Sequence, residues 1–258
     1  MGLGRQFLRD LMRLKQTGAL EGAHSVCEIG DQQLSDSLIS SPDLTNAFRL
    51  FGCTDPPAFQ TVGPERFTDY APSSQPFWRA LGFTRTAIDV TGDALFLDLN
   101  ADHVPRKLRG AFDLVVNAGT TEHVANQKNA FAVIHDLCRR GGVIYHEVPA
   151  GGFIDHGLFI YHPNFFRRLI EYNRYECLFL DFWSHGQAPM PDYLRGELVR
   201  DDFVTECALR VAVRKVRDAD FVCPLDARGG YRGYRPGIAS LWSKLRVRLR
   251  KRRAVASR

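Results

Sequence analysis

The sequence predicts a doubly wound α/β domain, a mostly parallel sheet with helices on both faces, and three observations carry that reading. Short apolar runs recur at 24–30, 85–90, 94–99, 112–117 and 143–148, each with Gly, Asp, Asn or Glu in its last two positions, and a longer one at 175–183, as expected of strands buried on both faces. Between them, 125–140 and 164–172 space their apolar residues at helical intervals. Last, Cys207, Leu209, Val211 and Val213 share one face of a segment whose other face carries Arg210 and Arg214. That period of two suits a late antiparallel strand, and the alternation as a whole indicates the doubly wound arrangement.

The elements follow in order. Phe7, Leu8, Leu11 and Met12 among Arg9, Asp10, Arg13 and Lys15 predict an amphipathic helix within 1–23, not the unbroken apolar core of an export signal. From 40 to 76 the chain turns to Pro, Ser, Thr and Gly, with Pro56-Pro57 and Gly63-Pro64, and reads as a looped insertion, a candidate lid. The helix at 125–140 places Phe131, Ile134, Leu137 and Cys138 on one side, sets Arg139 and Arg140 against its dipole and stops at Gly141-Gly142. Pro163 opens the next helix. A domain over 24–220 with a basic C-terminal tail over 221–258 is the expected organisation.

At 258 residues, with 45% hydrophobic and 24% charged residues and no apolar run of about 20, the chain is expected to be globular and cytoplasmic. Its six cysteines are scattered and form no close pairs, so reduced, buried thiols are expected. Much of the net charge of +5 sits in the segment 244–253, Lys-Leu-Arg-Val-Arg-Leu-Arg-Lys-Arg-Arg. A charged tail is not a charged face, so the sequence does not point to nucleic acid as the partner. Weak contact of that tail with a membrane surface stays open, as does a solvated terminus. Gly-x-Gly-x-x-Gly, Gly-x-Ser-x-Gly and phosphate-loop strings are all absent, which argues against a nicotinamide oxidoreductase, an elbow-type hydrolase and a nucleotide-driven enzyme.

Open parallel sheets bind ligands beyond the carboxyl ends of their strands, where strand order reverses. Here those ends carry Glu28 and Gly30, Asp89, Asp98, Asn117, and His146 with Glu147. Carboxylates offer only acceptors, and two of them on neighbouring strands suit the hydroxyls of a ribose and the amine of an adenine. The order Val26-Cys27-Glu28-Ile29-Gly30, Ile88-Asp89, Asp98-Leu99, Phe112-Asp113-Leu114-Val115-Val116, Glu122-His123-Val124 and Arg140-Gly141-Gly142 resembles the class I S-adenosylmethionine-dependent methyltransferases, in particular their small-molecule Glu-His-Val subgroup. The resemblance spans residues 26–183 and implies a Rossmann-like, seven-stranded sheet with S-adenosylmethionine as cofactor. It implies that Gly30 lets the backbone approach the methionine moiety, that Glu28 is among the cofactor-binding residues, that Asp89 holds the ribose, that Asp98 and Leu99 frame the adenine, and that Asn117 floors the site near the sulfonium.

Where the family writes Gly-x-Gly-x-Gly, this chain writes Gly30-Asp31-Gln32-Gln33. Asp31 or Gln32 then supplies a side-chain contact in place of backbone approach, or cofactor binding is weak. His123 has two readings, a general base on the acceptor and a packed histidine at a helix start. Asp155, His156 and Tyr161 fall where related enzymes build the acceptor pocket, and a small molecule, a sugar or a glycan intermediate is the expected acceptor. The spacing of Asp155, His156, His162, His146 and Glu147 matches no zinc pattern, so no metal site is expected. Two alternatives remain: a non-catalytic binding or scaffold protein on the same fold, and an RNA methyltransferase that uses the tail.

Overall fold

A computed structural model describes residues 2–62, 71–154, 156–189 and 203–226. Strands β1 (Ser25–Ile29), β2 (Thr84–Asp89), β3 (Leu95–Phe96), β4 (Phe112–Ala118), β5 (Cys138–Gly151), β6 (Glu176–Pro189) and β7 (Phe203–Arg214) form one sheet in the order β3-β2-β1-β4-β5-β7-β6. Pairs from β3 through β5 are parallel, while β7 runs antiparallel between β5 and β6. Strand order therefore reverses between β1 and β4. This is the predicted Rossmann-like, doubly wound sheet with its late antiparallel strand.

Alternation along the strands fills two cores. Cys27, Ile29, Val115 and Ile144 face α5 (Gln127–Leu137) and α6 (Pro163–Asn173), against Phe131, Ile134, Phe166 and Leu169. Val26, Leu114, Val116 and Tyr145 face the opposite layer of α1 (Arg5–Gln16), α3 (Asp43–Leu50) and α4 (Gln75–Ala80), against Phe7, Leu11, Phe48 and Trp78. Helix α1 buries Phe7, Leu8, Leu11 and Leu14, the stripe that a 3.6-residue period lays on one face. The expected helix thus forms part of the main core.

Several local expectations need correction. Part of 40–76 is helical: the short α2 (Asp36–Ile39) leads into α3, whose Ala47 and Phe48 are buried. The Pro and Gly signals bracket these turns and hide their periodicity. The third strand shrinks from 94–99 to Leu95–Phe96, because Asp98 leaves the ladder to bond the Asn100 amide. Helix α5 ends at Leu137, and Cys138, Arg139 and Arg140 already belong to β5, with Arg139 paired to Asp113 instead of capping a helix dipole. Cys27 and Cys138 are buried thiols, but Cys177 and Cys223 are exposed. The tail at 244–253 lies outside the described residues.

One buried ion pair fastens α1 to the sheet. Arg210 on β7 donates to both carboxylate oxygens of Asp10, at 2.5 and 2.7 Å, and the Tyr145 hydroxyl of β5 donates to Asp10 Oδ2 at 2.9 Å. Asp10 is 2% exposed and Arg210 8%, so removing one partner strands the other charge, at a cost of about 3–5 kcal/mol. Asp10→Ala is expected to lower the unfolding free energy in urea by about 3 kcal/mol or more, and Asp10→Ala combined with Arg210→Met should recover most of that loss.

Candidate functional site

At the carboxyl ends of β1, β2 and β4 lies a cavity of about 570 Å³, lined by Gly30, Asp31, Gln32, Asp89, Val90, Phe96, Asp98, Leu99, Asn100, Gly119, Thr120 and His123 among others. It sits at the strand-order reversal, where the topology puts ligand sites. Its volume is that of a small-molecule pocket.

The turn after β1 forms its floor. Gly30 adopts φ +84°, and a Cβ there would lie 2.5 Å from Thr120 Oγ1. Thr120 donates that hydroxyl to the Ile29 carbonyl at 2.6 Å, and the Gln32 side-chain amide donates to the same carbonyl at 3.1 Å. Gln32 Oε1 is buried and accepts from no group, an unmet acceptor on a residue that lines the cavity. Asp31 is held by Arg85, which also donates to Glu28 at 2.6 Å. Side-chain ties therefore fix this loop.

Asp89 organises the β2 end. Its Oδ1 accepts from the amides of Val90 and Thr91 and from the Thr91 hydroxyl, and its Oδ2 accepts from the Asp31 amide at 2.9 Å. Asp89 thus builds the turn that follows β2, and Oδ2 keeps acceptor capacity for one more donor. Beside Asp89, its ladder partner Phe96 is 68% exposed and its neighbour Val90 53%, two open apolar walls of the cavity. Such walls suit a flat aromatic ring.

Of the expected cofactor residues, Gly30, Asp31, Gln32, Asp89, Asp98 and Leu99 line this cavity, and two do not. Glu28 is fully buried behind the turn, accepting from Ser74 at 2.8 Å, Trp78 Nε1 at 2.5 Å and Arg85. It braces the loop. Asn117 is also fully buried, holding Thr121 through Oδ1 and Nδ2 and meeting His146 Nδ1 at 3.1 Å. Burial holds His146 neutral, its pKa pushed down to about 3. Sequence reading missed Thr120 and Phe96, because a threonine in a loop and a phenylalanine in a supposed strand give no local signal of a site.

His123 does line the cavity, on a 3-10 turn over Thr121–His123. Partial burial lowers its pKa, which favours the neutral imidazole able to accept a proton. Of the residues expected around the acceptor, Asp155 lies outside the described residues, and His156 packs its ring on His123 at 5.0 Å. Tyr161 is core: it is 5% exposed among Phe131, Phe165 and Phe166, with its hydroxyl donated to Gln127 at 2.6 Å.

A second cavity of about 400 Å³ opens beyond β4 and β5, walled by Gly4, Arg5, Glu147, Pro149, Phe153 and Trp183, and it shares Gly119 with the first. Glu147 is its notable polar group. The Tyr145 hydroxyl lies 2.9 Å from Asp10 Oδ2 and 3.0 Å from Glu147 Oε2, yet it has one proton to donate. Both oxygens are satisfied when Glu147 is protonated and donates to the tyrosine oxygen. Burial, with Asp10 nearby, accordingly pushes the Glu147 pKa up to about 7.

No family model matches the chain, and no curated protein does. Solved structures similar to it include the Burkholderia thailandensis 1,6-didemethyltoxoflavin-N1-methyltransferase bound to 1,6-didemethyltoxoflavin and S-adenosylhomocysteine, at 13% identity over 80% of this chain and 78% of that one, TM-score 0.41. A SAM-dependent methyltransferase from Archaeoglobus fulgidus is 13% identical over 80% and 94% of the two chains, TM-score 0.40. Another, from Mesorhizobium loti, is 12% identical over 78% and 96%, TM-score 0.37. The architecture itself is fixed by the observed strand order.

Two outcomes test the geometry. Gly30→Ala meets both the left-handed φ penalty of about 1–2 kcal/mol and the Thr120 contact, so chemical denaturation should show a loss above 1 kcal/mol that shrinks when Thr120→Ala is added. Glu147 binds its proton more tightly folded than unfolded, so its contribution to stability is present at low pH and is lost as pH rises from about 4.3 through about 7. Stability of Glu147→Gln relative to wild type, measured in urea at pH 5 and pH 8, should therefore increase with pH.

Proposed function

We propose that the chain transfers a methyl group from S-adenosylmethionine to a small-molecule acceptor. The observation that carries this reading is the cavity at the β1/β4 reversal, with a glycine-only turn, the unmet Gln32 Oε1 acceptor, the carboxylates of Asp89 and Asp98, and the open apolar faces of Val90 and Phe96. Those features match an amino-acid moiety, a ribose and an adenine in turn. Gln32 receives the ammonium, Asp89 Oδ2 a ribose hydroxyl, and Phe96 with Val90 covers the base. S-adenosylmethionine, when bound, supplies an electrophilic methyl group on sulfur.

The protein's contribution is alignment, because the sulfonium is already a good leaving group and positioning supplies most of the acceleration. The second cavity holds the acceptor, since it meets the first at Gly119 and at about 400 Å³ takes a small molecule. Glu147, with its pKa near 7, accepts a hydrogen bond or a proton from an acceptor hydroxyl or amine. A sugar or glycan intermediate fits that chemistry. His123, at the edge of the first cavity, is the other group placed to take a proton.

Isothermal titration of the full chain with S-adenosylmethionine and S-adenosylhomocysteine tests the reading. Both should bind, and Phe96→Ala should weaken them about tenfold, the worth of one base-stacking contact; Phe96 is exposed, so its removal leaves the core intact. Asp89→Asn should weaken them as well. A folded wild type that binds neither compound overturns the assignment and leaves a scaffold protein on this fold.

A further inference from the structure

Beside the 3-10 turn after β4, Glu122, His123 and His156 come together, and the methyl-transfer reading gives no role to Glu122 or His156. Glu122 is fully buried, and neither carboxylate oxygen has a hydrogen-bond partner. Beside it His156 presents a buried Nε2, also without a partner, 3.7 Å from Glu122 Oε1. His123 completes the group, with its ring 5.0 Å from that of His156. The candidate donor atoms of the three residues all lie within 4.8 Å of one another.

An unpaired buried carboxylate is costly, and orphaned polar atoms in a native interior call for a partner. The backbone holds these atoms together deliberately. The amides of Leu158 and Phe159 both donate to the Glu122 carbonyl, at 2.8 and 3.1 Å, strapping the segment that carries His156 onto the turn that carries Glu122 and His123. A Cβ on Gly157 would lie 3.1 Å from Glu122 Cγ, so the strap fits closely only with glycine there. The 3.7 Å between Oε1 and Nε2 is too long for a hydrogen bond. It is close to the ~3.4 Å separating two ligands of a tetrahedral ion with bonds of about 2.1 Å.

We propose that Glu122, His123 and His156 form a binding site for a divalent transition-metal ion of the zinc class. Two imidazoles and one carboxylate favour such an ion over magnesium or calcium, which take oxygen ligands. Three protein ligands leave a fourth position, and because His123 also lines the larger cavity, that position adjoins the space assigned to the nucleoside. The site stands on its own orphaned atoms and is independent of the methyl-transfer reading.

The test uses full-length protein stripped with a chelator and titrated with Zn²⁺ against a chromophoric competitor, and with Co²⁺ as a spectroscopic probe. One equivalent should bind, with visible d–d absorption typical of a low-coordinate N/O site and no thiolate charge-transfer band. His156→Ala and His123→Ala should each weaken Zn²⁺ binding at least ~10-fold, while Cys177→Ser with Cys223→Ser should leave it unchanged. Both histidine variants keep the buried Glu122, and circular dichroism confirms that they are folded. Wild-type protein that is folded and binds neither ion overturns the proposal, as does equal affinity in wild type and His156→Ala. In either case the three side chains are a buried cluster that holds no metal.

Discussion

The Ile29 carbonyl accepts the Thr120 hydroxyl at 2.6 Å and the Gln32 amide at 3.1 Å, and it does so where the sheet divides. Connections leaving β1 and β4 depart to opposite faces, so the loops beyond these strands part and a cavity opens between them. Two loops that diverge need something to hold them at a fixed separation. Thr120 and Gln32 supply it, and Gly30 is the residue that leaves room for the threonine. The position of every other cavity residue follows from that spacing.

Gly30 is followed by Asp31, Gln32 and Gln33, and side chains hold the turn that they form. A glycine-rich turn presents bare backbone to a ligand; here the turn is tied down from behind. Arg85 spans Asp31 and the buried Glu28, Glu28 takes Ser74 and Trp78, and Asp89 accepts the Asp31 amide. Ser74, at the end of the insertion, and Trp78 on α4 complete this brace. Rigidity that other chains obtain from close backbone packing is obtained here from charge-assisted hydrogen bonds in a dry environment.

The opposite cavity depends on the same sheet through a different chain of contacts. Arg210 fixes Asp10, Asp10 accepts the Tyr145 hydroxyl's hydrogen bond, and Glu147 is thereby left to hold its own proton. A helix near the N-terminus thus influences the protonation of a residue facing the second cavity. Gly4 and Arg5 also line that cavity, so α1 shapes both its wall and its chemistry.

Much of this protein was legible in its sequence. Strand runs ending in Gly and Asp, helical spacing between them and a final period of two determined the doubly wound sheet and its antiparallel strand, because burial on one or two faces writes itself into residue order. The same strand ends located Gly30, Asp31, Gln32, Asp89, Asp98, Leu99 and His123 around one cavity. Sequence order could not separate residues that face a cavity from residues that brace it, as Glu28 and Asn117 show, since both kinds are polar and both end a strand. Nor could it bring His156 onto Glu122, or join Asp10 to Arg210. Those contacts cross 34 and 200 positions of chain, and only the packing of the layers on the sheet decides which distant side chains meet and which are shut away from water.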